Sequence, residues 1–172
     1  NADVTNACYA TPDRIASALA GFVPLDAPVL DFGCGTGLSG LALQRAGFSK
    51  VDGVDISPEM LDLAHGTGAY NKLWQGTPGA LSGVTAGDYN AIVAAGVVSL
   101  GAAPPETLGL ILDHLAPGGV LAVSFNDPTL EDGSYDAFLQ AQVDAGLCTI
   151  AMRAHGDHLP GKGMGSDVMV LK

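Results

Sequence analysis

Short apolar segments alternate with helix-start signals along this chain. Residues 11–13 read Thr-Pro-Asp, in which a hydroxyl N-cap, a proline and an acid follow the order typical of a helix N-terminus. The Ser-Pro-Glu of residues 57–59 repeats that order. Apolar residues at helical spacing support further helices over 38–46, 104–115 and 135–145. The chain is therefore predicted to change repeatedly between strand and helix.

Seven apolar runs have the length and composition of strands: 28–32, 51–56, 71–75, 89–95, 120–125, 148–153 and 168–171. The first five alternate with helices, which predicts a parallel sheet covered on both faces. The last two are joined by a glycine-rich loop with no room for a helix, so we expect them to be antiparallel. The predicted fold is α/β, a doubly wound, Rossmann-like, mostly parallel sheet of seven strands with a C-terminal antiparallel hairpin.

Length and composition exclude several classes of protein. The 172 residues are enough for one domain, predicted to span 1–172, with a core that needs no disulfide or metal. The chain is 48% hydrophobic and 15% charged, which excludes intrinsic disorder. Its 18 acidic and 7 basic residues give a net charge of −11. Because nucleic acids and anionic membranes attract basic surfaces, we expect neither partner; a small molecule or a protein is favoured.

The sequence also bears on location. Its longest uncharged stretch, 89–105, is too short and too polar to cross a membrane, and no signal peptide is evident near the start. Three widely separated cysteines form neither a disulfide framework nor a metal clip. We therefore expect a reducing, cytoplasmic setting. The sequence starts at Asn1, which leaves open whether residues precede it, and it predicts no oligomeric state.

The glycine-rich turn after the first predicted strand carries the most functional information. Glycines within residues 33–40 allow the backbone to approach a ligand, and the N-terminus of the following helix favours an anionic group. Asp55 lies at the end of the second predicted strand, where a carboxylate can bind two ribose hydroxyls. Both features fall at the strand ends where this fold class binds ligands. The combination predicts a cofactor that contains a nucleoside.

The identity of that nucleoside depends on Asp31. The spacing Gly35-x-Gly37-x-x-Gly40 matches the dinucleotide pattern, which keeps an NAD(P)-type oxidoreductase as an alternative. A carboxylate at Asp31, two residues before the first glycine, would repel a pyrophosphate and attract an ammonium group. The sequence therefore favours a cofactor with a cationic end.

The acid-x-Gly-x-Gly-x-Gly pattern of residues 31–37 resembles motif I of the class I S-adenosylmethionine-dependent methyltransferases. Residues 54–61 are similar to the second motif of that family, 88–93 to its fourth strand, and 115–121 to the turn into its fifth strand. The resemblance runs in order from residue 29 to residue 172, and residues 38–40 and 51–61 resemble the Williams–Beuren-region methyltransferase-like subgroup.

This resemblance implies S-adenosyl-L-methionine as the cofactor and a role for each matching residue. Asp31 would bind the methionine ammonium group and Asp55 the ribose hydroxyls. One departure concerns the adenine side, where Thr77 stands in place of a frequent aspartate. The implied cofactor-binding residues are Asp31, Gly33, Cys34, Gly35 and Gly37 around the methionine end, Asp55 at the ribose, Ile56, Met60, Gly76 and Thr77 near the adenine, and Ala95 and Gly96 beneath the methionine moiety.

Three other motifs suggest different chemistry and are rejected. The His-Gly-Asp-His of residues 155–158 is predicted to lie in the tail loop and offers at most three ligands, so we expect no metal site. Cys34 has no paired base and is expected to pack rather than to act as a nucleophile. The Asn-Asp-Pro-Thr of residues 126–129 lacks the aromatic residue of amino-methylating nucleic-acid enzymes.

The predicted activity is direct displacement of a methyl group from S-adenosylmethionine by a small-molecule acceptor, with a protein acceptor as the second choice. Such a reaction needs alignment and a dry pocket, and no fixed catalytic residue can be named. Tyr9, Asn126 and Asp127 are candidates for contact with the acceptor, and the N-terminal segment is a candidate lid. A helix cap or turn is the alternative role for Asn126 and Asp127. A non-catalytic cofactor-binding module remains a further alternative.

Overall fold

The computed structural model describes residues 9–172 and contains one seven-stranded sheet with the order β3-β2-β1-β4-β5-β7-β6. Strands β1 to β5 are parallel to one another, whereas β7 is antiparallel to both β5 and β6. This arrangement confirms the predicted mostly parallel sheet and its C-terminal antiparallel hairpin. The strands are β1 Val29–Phe32, β2 Val51–Asp55, β3 Lys72–Gln75, β4 Tyr89–Ala94, β5 Leu115–Asn126, β6 Ile150–Leu159 and β7 Met164–Leu171.

Helices cover both faces of the sheet, as expected for a doubly wound fold. One face packs against α1 and α2 through a cluster that includes Ile15, Leu43 and Val93. The other packs against α4 and α6 through a cluster that includes Ile111 and Leu139. The helices are α1 Thr11–Ala20, α2 Leu38–Arg45, α3 Pro58–Thr67, α4 Thr107–His114, α5 Asp127–Asp132 and α6 Ser134–Asp144, with a 3-10 turn at Pro160–Lys162.

The helix-start signals correctly located two helices, but their capping bonds differ. Ser57 caps α3, because its hydroxyl accepts a bond from the Met60 amide at 3.3 Å. Thr11 was wrongly predicted as the N-cap of α1. Ala10 occupies that position, and the Thr11 hydroxyl instead bonds to the ring of His158 at 2.7 Å.

Three features in the second half of the chain differ from the predictions. Strand β5 begins at Leu115 rather than at residue 120, and its register against β4 shifts between Tyr89 and Ala91. The short helix α5 was not predicted. The segment 155–158 lies within β6 rather than in a loop, because β6 and β7 pair up to Leu159 and Met164.

Within residues 9–172, no helix has both the length and the apolar character needed to cross a membrane.

Candidate active site

The site lies at the carboxyl ends of β1 and β4, the two central strands of the sheet. The chain leaves β1 toward β2 on one side, whereas β4 lies on the other, so a cleft opens where these connections diverge. The cleft has a volume of about 580 Å³. It is lined by Phe32, Gly33, Val54, Asp55, Ile56, Gly76, Thr77, Pro78, Gly79, Ala80, Gly96, Val97, Gly101, Ala102, Ala103, Pro104, Thr107 and Leu110.

The glycine-rich turn borders this cleft through Gly33. The amides of Gly33 and Cys34 both donate to the Val54 carbonyl, at 2.9 and 3.0 Å, which ties the turn to β2. Gly33 and Gly37 have φ values of +69° and +94°, a region that residues with a side chain rarely adopt. Gly37 is also the N-cap of α2, so the turn leads the backbone directly into that helix.

Asp31 is fully buried beneath this turn. It lies on the same face of β1 as Val29, toward α2, because side chains alternate along a strand. Its Oδ2 accepts bonds from the hydroxyls of Ser39 at 2.5 Å and Tyr70 at 2.7 Å. Its Oδ1 is buried without a hydrogen-bond partner among residues 9–172.

The environment of Asp31 makes its charged form less stable than it is in water. Burial raises the pKa of this carboxyl from 3.8 to about 6, against the lowering effect of the bonds from Ser39 and Tyr70, and Asp55 adds a smaller increase. A buried oxygen without a partner costs free energy unless a donor reaches it. An ammonium group would supply both the donor and the opposite charge, so the site fits the methionine end of S-adenosylmethionine.

Tyr70 holds this carboxylate in place and was not singled out from the sequence. Its hydroxyl donates to Asp31 and accepts a bond from the Gly40 amide at 3.1 Å. A Cβ on Gly40 would overlap the Tyr70 ring, so the glycine makes room for the ring. Ser39 was also missed as an Asp31 partner, although its position at the start of α2 could have suggested it.

Asp55 connects the glycine-rich turn to the turn between β2 and α3. Its Oδ2 accepts a bond from the Gly35 amide at 2.8 Å, and its Oδ1 accepts one from the Ser57 amide at 2.9 Å. Each oxygen has a second lone pair, which leaves capacity for ribose hydroxyls. Asp55 is half-buried at this strand end. Its ribose role stays a prediction.

The residues predicted near the adenine are divided between the cleft and its outer rim. Gly76 and Thr77 line the cleft, as does Ile56, which is 56% exposed. Met60 does not line the cleft, although 41% of it is exposed on α3 nearby. The opposite wall comes from segment 101–104 with Thr107 and Leu110, none of which carries a motif that would have identified it.

Of the residues predicted around the methionine, Gly33 and Gly96 line the cleft, whereas Asp31, Cys34, Gly35, Gly37 and Ala95 do not. The Cys34 side chain is buried against Leu61 and Ala64, as expected for a packing role. Burial, followed by the charges of Asp31 and Asp55, raises the pKa of this thiol to about 12, so it is not a thiolate at neutral pH.

The acceptor candidates Asn126 and Asp127 lie at the end of β5, the strand next to β4, and neither lines the cleft. The Asn126 Oδ1 caps α5 by accepting bonds from the Thr129 amide at 3.1 Å and hydroxyl at 2.6 Å. Asp127 accepts a bond from the Gly165 amide at 2.7 Å. Asn126 thus has the capping role given as the alternative, whereas Asp127 bonds to β7. The contact of either side chain with an acceptor stays a prediction. Residues 1–8, part of the predicted lid, lie outside the described residues.

Tyr9 is close to the cleft and is the first residue that the structure describes. A Cβ on Gly96 would lie 2.9 Å from the Tyr9 hydroxyl oxygen. Burial, with a smaller effect of the Asp31 charge, raises the pKa of Tyr9 to about 12. Tyr9 is therefore a neutral phenol near the ends of β1 and β4.

Comparisons with known proteins agree with this geometry. The family described as a methyltransferase domain matches residues 7–158. Methyltransferase-like protein 27 from Homo sapiens is 33% identical over 150 residues, which cover 83% of this chain and 59% of that protein. Ribosomal protein L11 methyltransferase from Aeromonas salmonicida is 31% identical over 137 residues, or 74% of this chain and 46% of that protein. The chain thus spans about half the length of these relatives.

Solved structures share the fold at low sequence identity. Magnesium protoporphyrin IX methyltransferase from Synechocystis, with bound SAH, has a TM-score of 0.69 and 20% identity over 94% of this chain and 81% of its own. A SAM-dependent methyltransferase from Thiobacillus denitrificans, in complex with S-adenosyl-L-homocysteine, has a TM-score of 0.65 and 16% identity over 94% of this chain and 91% of its own.

The family match covers most of the chain, including the glycine-rich turn and the strand ends that form the cleft. The buried carboxylate beneath that turn fits the cationic end of the cofactor that the first motif implies. The chain therefore belongs to the class I S-adenosylmethionine-dependent methyltransferases.

Proposed function

We propose that this chain transfers a methyl group from S-adenosylmethionine to a small-molecule acceptor. The observation that carries the proposal is the Asp31 carboxylate, fully buried beneath the glycine-rich turn with Oδ1 unpartnered among the described residues. A dinucleotide would bring a pyrophosphate to this turn, and the Asp31 charge would repel it. This argument favours the methyltransferase reaction over the oxidoreductase alternative.

The residues around the cleft would divide the cofactor between them. Asp31 accepts a bond from the ammonium group, and the backbone of the glycine-rich turn surrounds the methionine end. Asp55 keeps lone pairs for the ribose hydroxyls while it holds the Gly35 and Ser57 amides. Thr77 lines the wall on the adenine side, where it offers a hydroxyl instead of a carboxylate. A hydroxyl binds the adenine less strongly than a carboxylate would.

The chain contributes alignment and exclusion of water to the reaction. S-adenosylmethionine supplies a methyl group activated by its sulfonium sulfur. Orienting the two reactants can lower the reaction barrier by about 7–11 kcal/mol. A cleft that excludes water also strengthens the electrostatic interactions inside it. A general base is needed only if the acceptor must lose a proton.

The charge around the cleft restricts the acceptor. Asp31 and Asp55 flank the turn, Asp127 lies at the end of β5, and the chain carries a net charge of −11. These negative charges would disfavour the binding of an anionic acceptor, so the acceptor is neutral or cationic. One relative is named for methylation of ribosomal protein L11, which makes a protein acceptor the alternative to test.

Calorimetric titration tests the cofactor half of the proposal. S-adenosylmethionine and S-adenosylhomocysteine should both bind, and NAD should produce no heat of binding at the same concentrations. Binding of NAD without a response to either of the other two ligands would reject the assignment.

A turnover screen tests the transfer half. The chain is incubated with S-adenosylmethionine carrying a labelled methyl group, together with pools of neutral and cationic metabolites and, separately, ribosomal proteins. Label in a metabolite supports the proposal. Label only in protein replaces the small-molecule acceptor by a protein, and cofactor binding without transfer in any pool favours the non-catalytic module.

The pH dependence of cofactor binding should follow the ionisation of Asp31. An ammonium partner needs the carboxylate, and the pKa of Asp31 in the free protein is raised to about 6. Affinity for S-adenosylhomocysteine should therefore be level above pH 6 and fall below it, approaching about tenfold per pH unit. Titration calorimetry between pH 5 and pH 8 measures the profile. An equally steep fall in the Asp31→Asn variant would assign it to another group.

Asp55→Ala should reduce both cofactor affinity and stability. Loss of a charge-assisted bond to the ribose corresponds to about 1.5–3 kcal/mol, or roughly 10- to 100-fold in affinity. The Gly35 and Ser57 amides also lose their acceptor, so the turns that Asp55 connects become less stable. Calorimetry and chemical denaturation measure the two effects.

Asp88→Ala is the matched control for the Asp55 variant. It removes a carboxylate that accepts a bond from the Thr85 amide at 2.9 Å, just before β4 and away from the cleft. This control should lose some stability and keep its cofactor affinity. Equal affinity losses in the two variants would contradict a ribose contact by Asp55.

A further inference from the structure

Four polar side chains form a continuous relay between the start of α1 and the hairpin of β6 and β7. The Arg14 Nη1 donates to the Ser166 Oγ at 3.0 Å. The Ser166 Oγ lies 2.9 Å from the Thr11 Oγ1, which lies 2.7 Å from the Nδ1 of His158. Thr11 and Ser166 are fully buried, and His158 is 7% exposed. The relay therefore lies in an interior where each polar hydrogen needs a partner.

The direction of these bonds follows from what each group can donate. A guanidinium only donates, so the Ser166 oxygen accepts from Arg14. Among residues 9–172, the Ser166 hydroxyl then finds an acceptor only in Thr11, and the Thr11 hydroxyl finds one only in the Nδ1 of His158. With Nδ1 as an acceptor, neutral His158 carries its proton on Nε2. The relay thus selects one of the two tautomers of this ring.

Arg14 is fixed independently of the relay. Its Nη1 has two hydrogens for three acceptors, the Asp157 carbonyl at 2.9 Å and the Ser166 carbonyl and Oγ, both at 3.0 Å, so one hydrogen is shared between two of them. Its Nη2 donates to the Ala154 carbonyl at 2.8 Å. A Cβ on Gly156 would lie 2.9 Å from the guanidinium carbon, so this glycine admits the side chain over β6. The donor end of the relay therefore cannot reverse.

The burial of His158 acts in the same direction as the relay. Burial has the largest effect and lowers the pKa of the ring, the Asp127 charge opposes it by raising the pKa, and the Arg14 charge adds a smaller lowering. A proton on Nδ1 would force Thr11 to donate to Ser166 and leave the Ser166 hydrogen without an acceptor among the described residues. The neutral ring is the form that satisfies every group.

His158 in turn contacts the segment that reaches the cleft. The rings of His158 and Tyr9 pack edge to face, with centroids 5.0 Å apart and an angle of 85°. The Ala10 amide donates to the His158 carbonyl at 3.0 Å. These two contacts place the Tyr9 hydroxyl beside Gly96 at the end of β4.

We propose that the relay Arg14–Ser166–Thr11–His158 is a positioning device that holds Tyr9 at the boundary between the cofactor and acceptor parts of the cleft. His158 acts as a neutral ring with its proton on Nε2, and Tyr9 is the residue that contacts the reactants. The inference rests on the proposed function only where it says that the cofactor and the acceptor meet beside Tyr9. The hydrogen bonds of the relay are a property of the protein without ligand.

Nitrogen-15 NMR of the histidine rings in the full chain without ligand tests the relay directly. His158 should show a protonated Nε2 and an unprotonated Nδ1 at neutral pH. In Thr11→Val the ring should lose this preference and its pKa should rise. Thr129→Val is the control, since it removes another fully buried hydroxyl, in α5, that is not bonded to His158. A wild-type ring with its proton on Nδ1 overturns the proposal without any variant.

Hydrogen exchange at the Ala10 amide measures whether the relay holds the segment. Removing one buried hydrogen bond corresponds to about a five- to tenfold change in an opening equilibrium. We expect exchange at Ala10 to accelerate by that factor in Thr11→Val and in Ser166→Ala, and to be unchanged in Thr129→Val. Unchanged exchange in both relay variants overturns the proposal.

A double-mutant cycle tests whether the relay acts through Tyr9. Tyr9→Ala and Thr11→Val should each weaken S-adenosylhomocysteine binding, and the double variant should be no weaker than Tyr9→Ala alone, since both changes remove the same contact. Additive losses overturn the positioning role. If the wild type binds no S-adenosylhomocysteine, the proposed function fails, while the NMR and exchange results still decide the relay.

Discussion

Asp31→Asn should make the protein more stable and at the same time remove most of its cofactor affinity. The pKa of Asp31 is raised from 3.8 to about 6, chiefly by burial. Each pKa unit corresponds to about 1.4 kcal/mol, so the buried charge costs up to about 3 kcal/mol at pH 7. An asparagine keeps an oxygen that can accept from Ser39 and Tyr70 and carries no charge.

The sign of this effect sets its pH dependence. A carboxyl whose folded pKa is raised favours the folded state most below pH 4, and this contribution is lost as the pH rises from about 4 to about 6. The stability advantage of Asp31→Asn should therefore be largest at pH 7 and shrink at pH 4.5. Chemical denaturation of both proteins at the two pH values measures it.

The affinity loss has a separate cause. Without the carboxylate, the ammonium group of the cofactor loses a charge-assisted bond of about 1.5–3 kcal/mol, or roughly 10- to 100-fold in affinity for S-adenosylhomocysteine. Asp52→Asn is the matched control, because Asp52 lies at the opposite end of β2 and accepts a bond from Tyr89 at 2.8 Å. It changes the net charge equally and should not weaken binding. A less stable Asp31→Asn variant with full affinity would contradict both arguments.

Most of the fold could be predicted because its signals are local. The apolar runs of the central strands and the Ser-Pro-Glu start of α3 are each contained within a few residues. The short helix α5 was missed although Asn126, Asp127 and Pro128 form a similar start signal, because its six residues carry too few apolar positions to show a period. The extent of β6 depends on pairing with β7, which no local pattern records.

The site could be predicted in part for a related reason. Residues that follow parallel strands meet at one edge of the sheet, so the cluster of Gly33, Asp55 and Gly96 follows from the strand assignments alone. Tyr70 contacts Asp31 across 39 positions, and Arg14 contacts Ser166 across 152. Such pairs depend on how complete elements pack, and neither has a spacing in the sequence that would predict it.

Gly33→Ala should be among the most damaging single changes in the molecule. The residue has a φ of +69°, which costs about 1–2 kcal/mol for a residue with a Cβ. The added Cβ would also lie 2.8 Å from the Val97 Cγ1 and overlap its other methyl group. Overpacking of this kind costs about 1–3 kcal/mol. We expect a combined loss of about 2–5 kcal/mol in the free energy of unfolding, and weaker cofactor binding because both residues line the cleft.

Gly35→Ala separates the two causes, because Gly35 has a φ of +54° and nothing within 4 Å of a built Cβ. It should show only the backbone cost. Val97→Ala removes the methyl groups that Gly33→Ala would meet, so the double variant should recover the packing part of the loss and keep the backbone part. Denaturation of the four variants measures this cycle. Equal losses in Gly33→Ala and Gly35→Ala, with no recovery in the double variant, would mean that Val97 yields freely and that backbone conformation alone requires glycine in this turn.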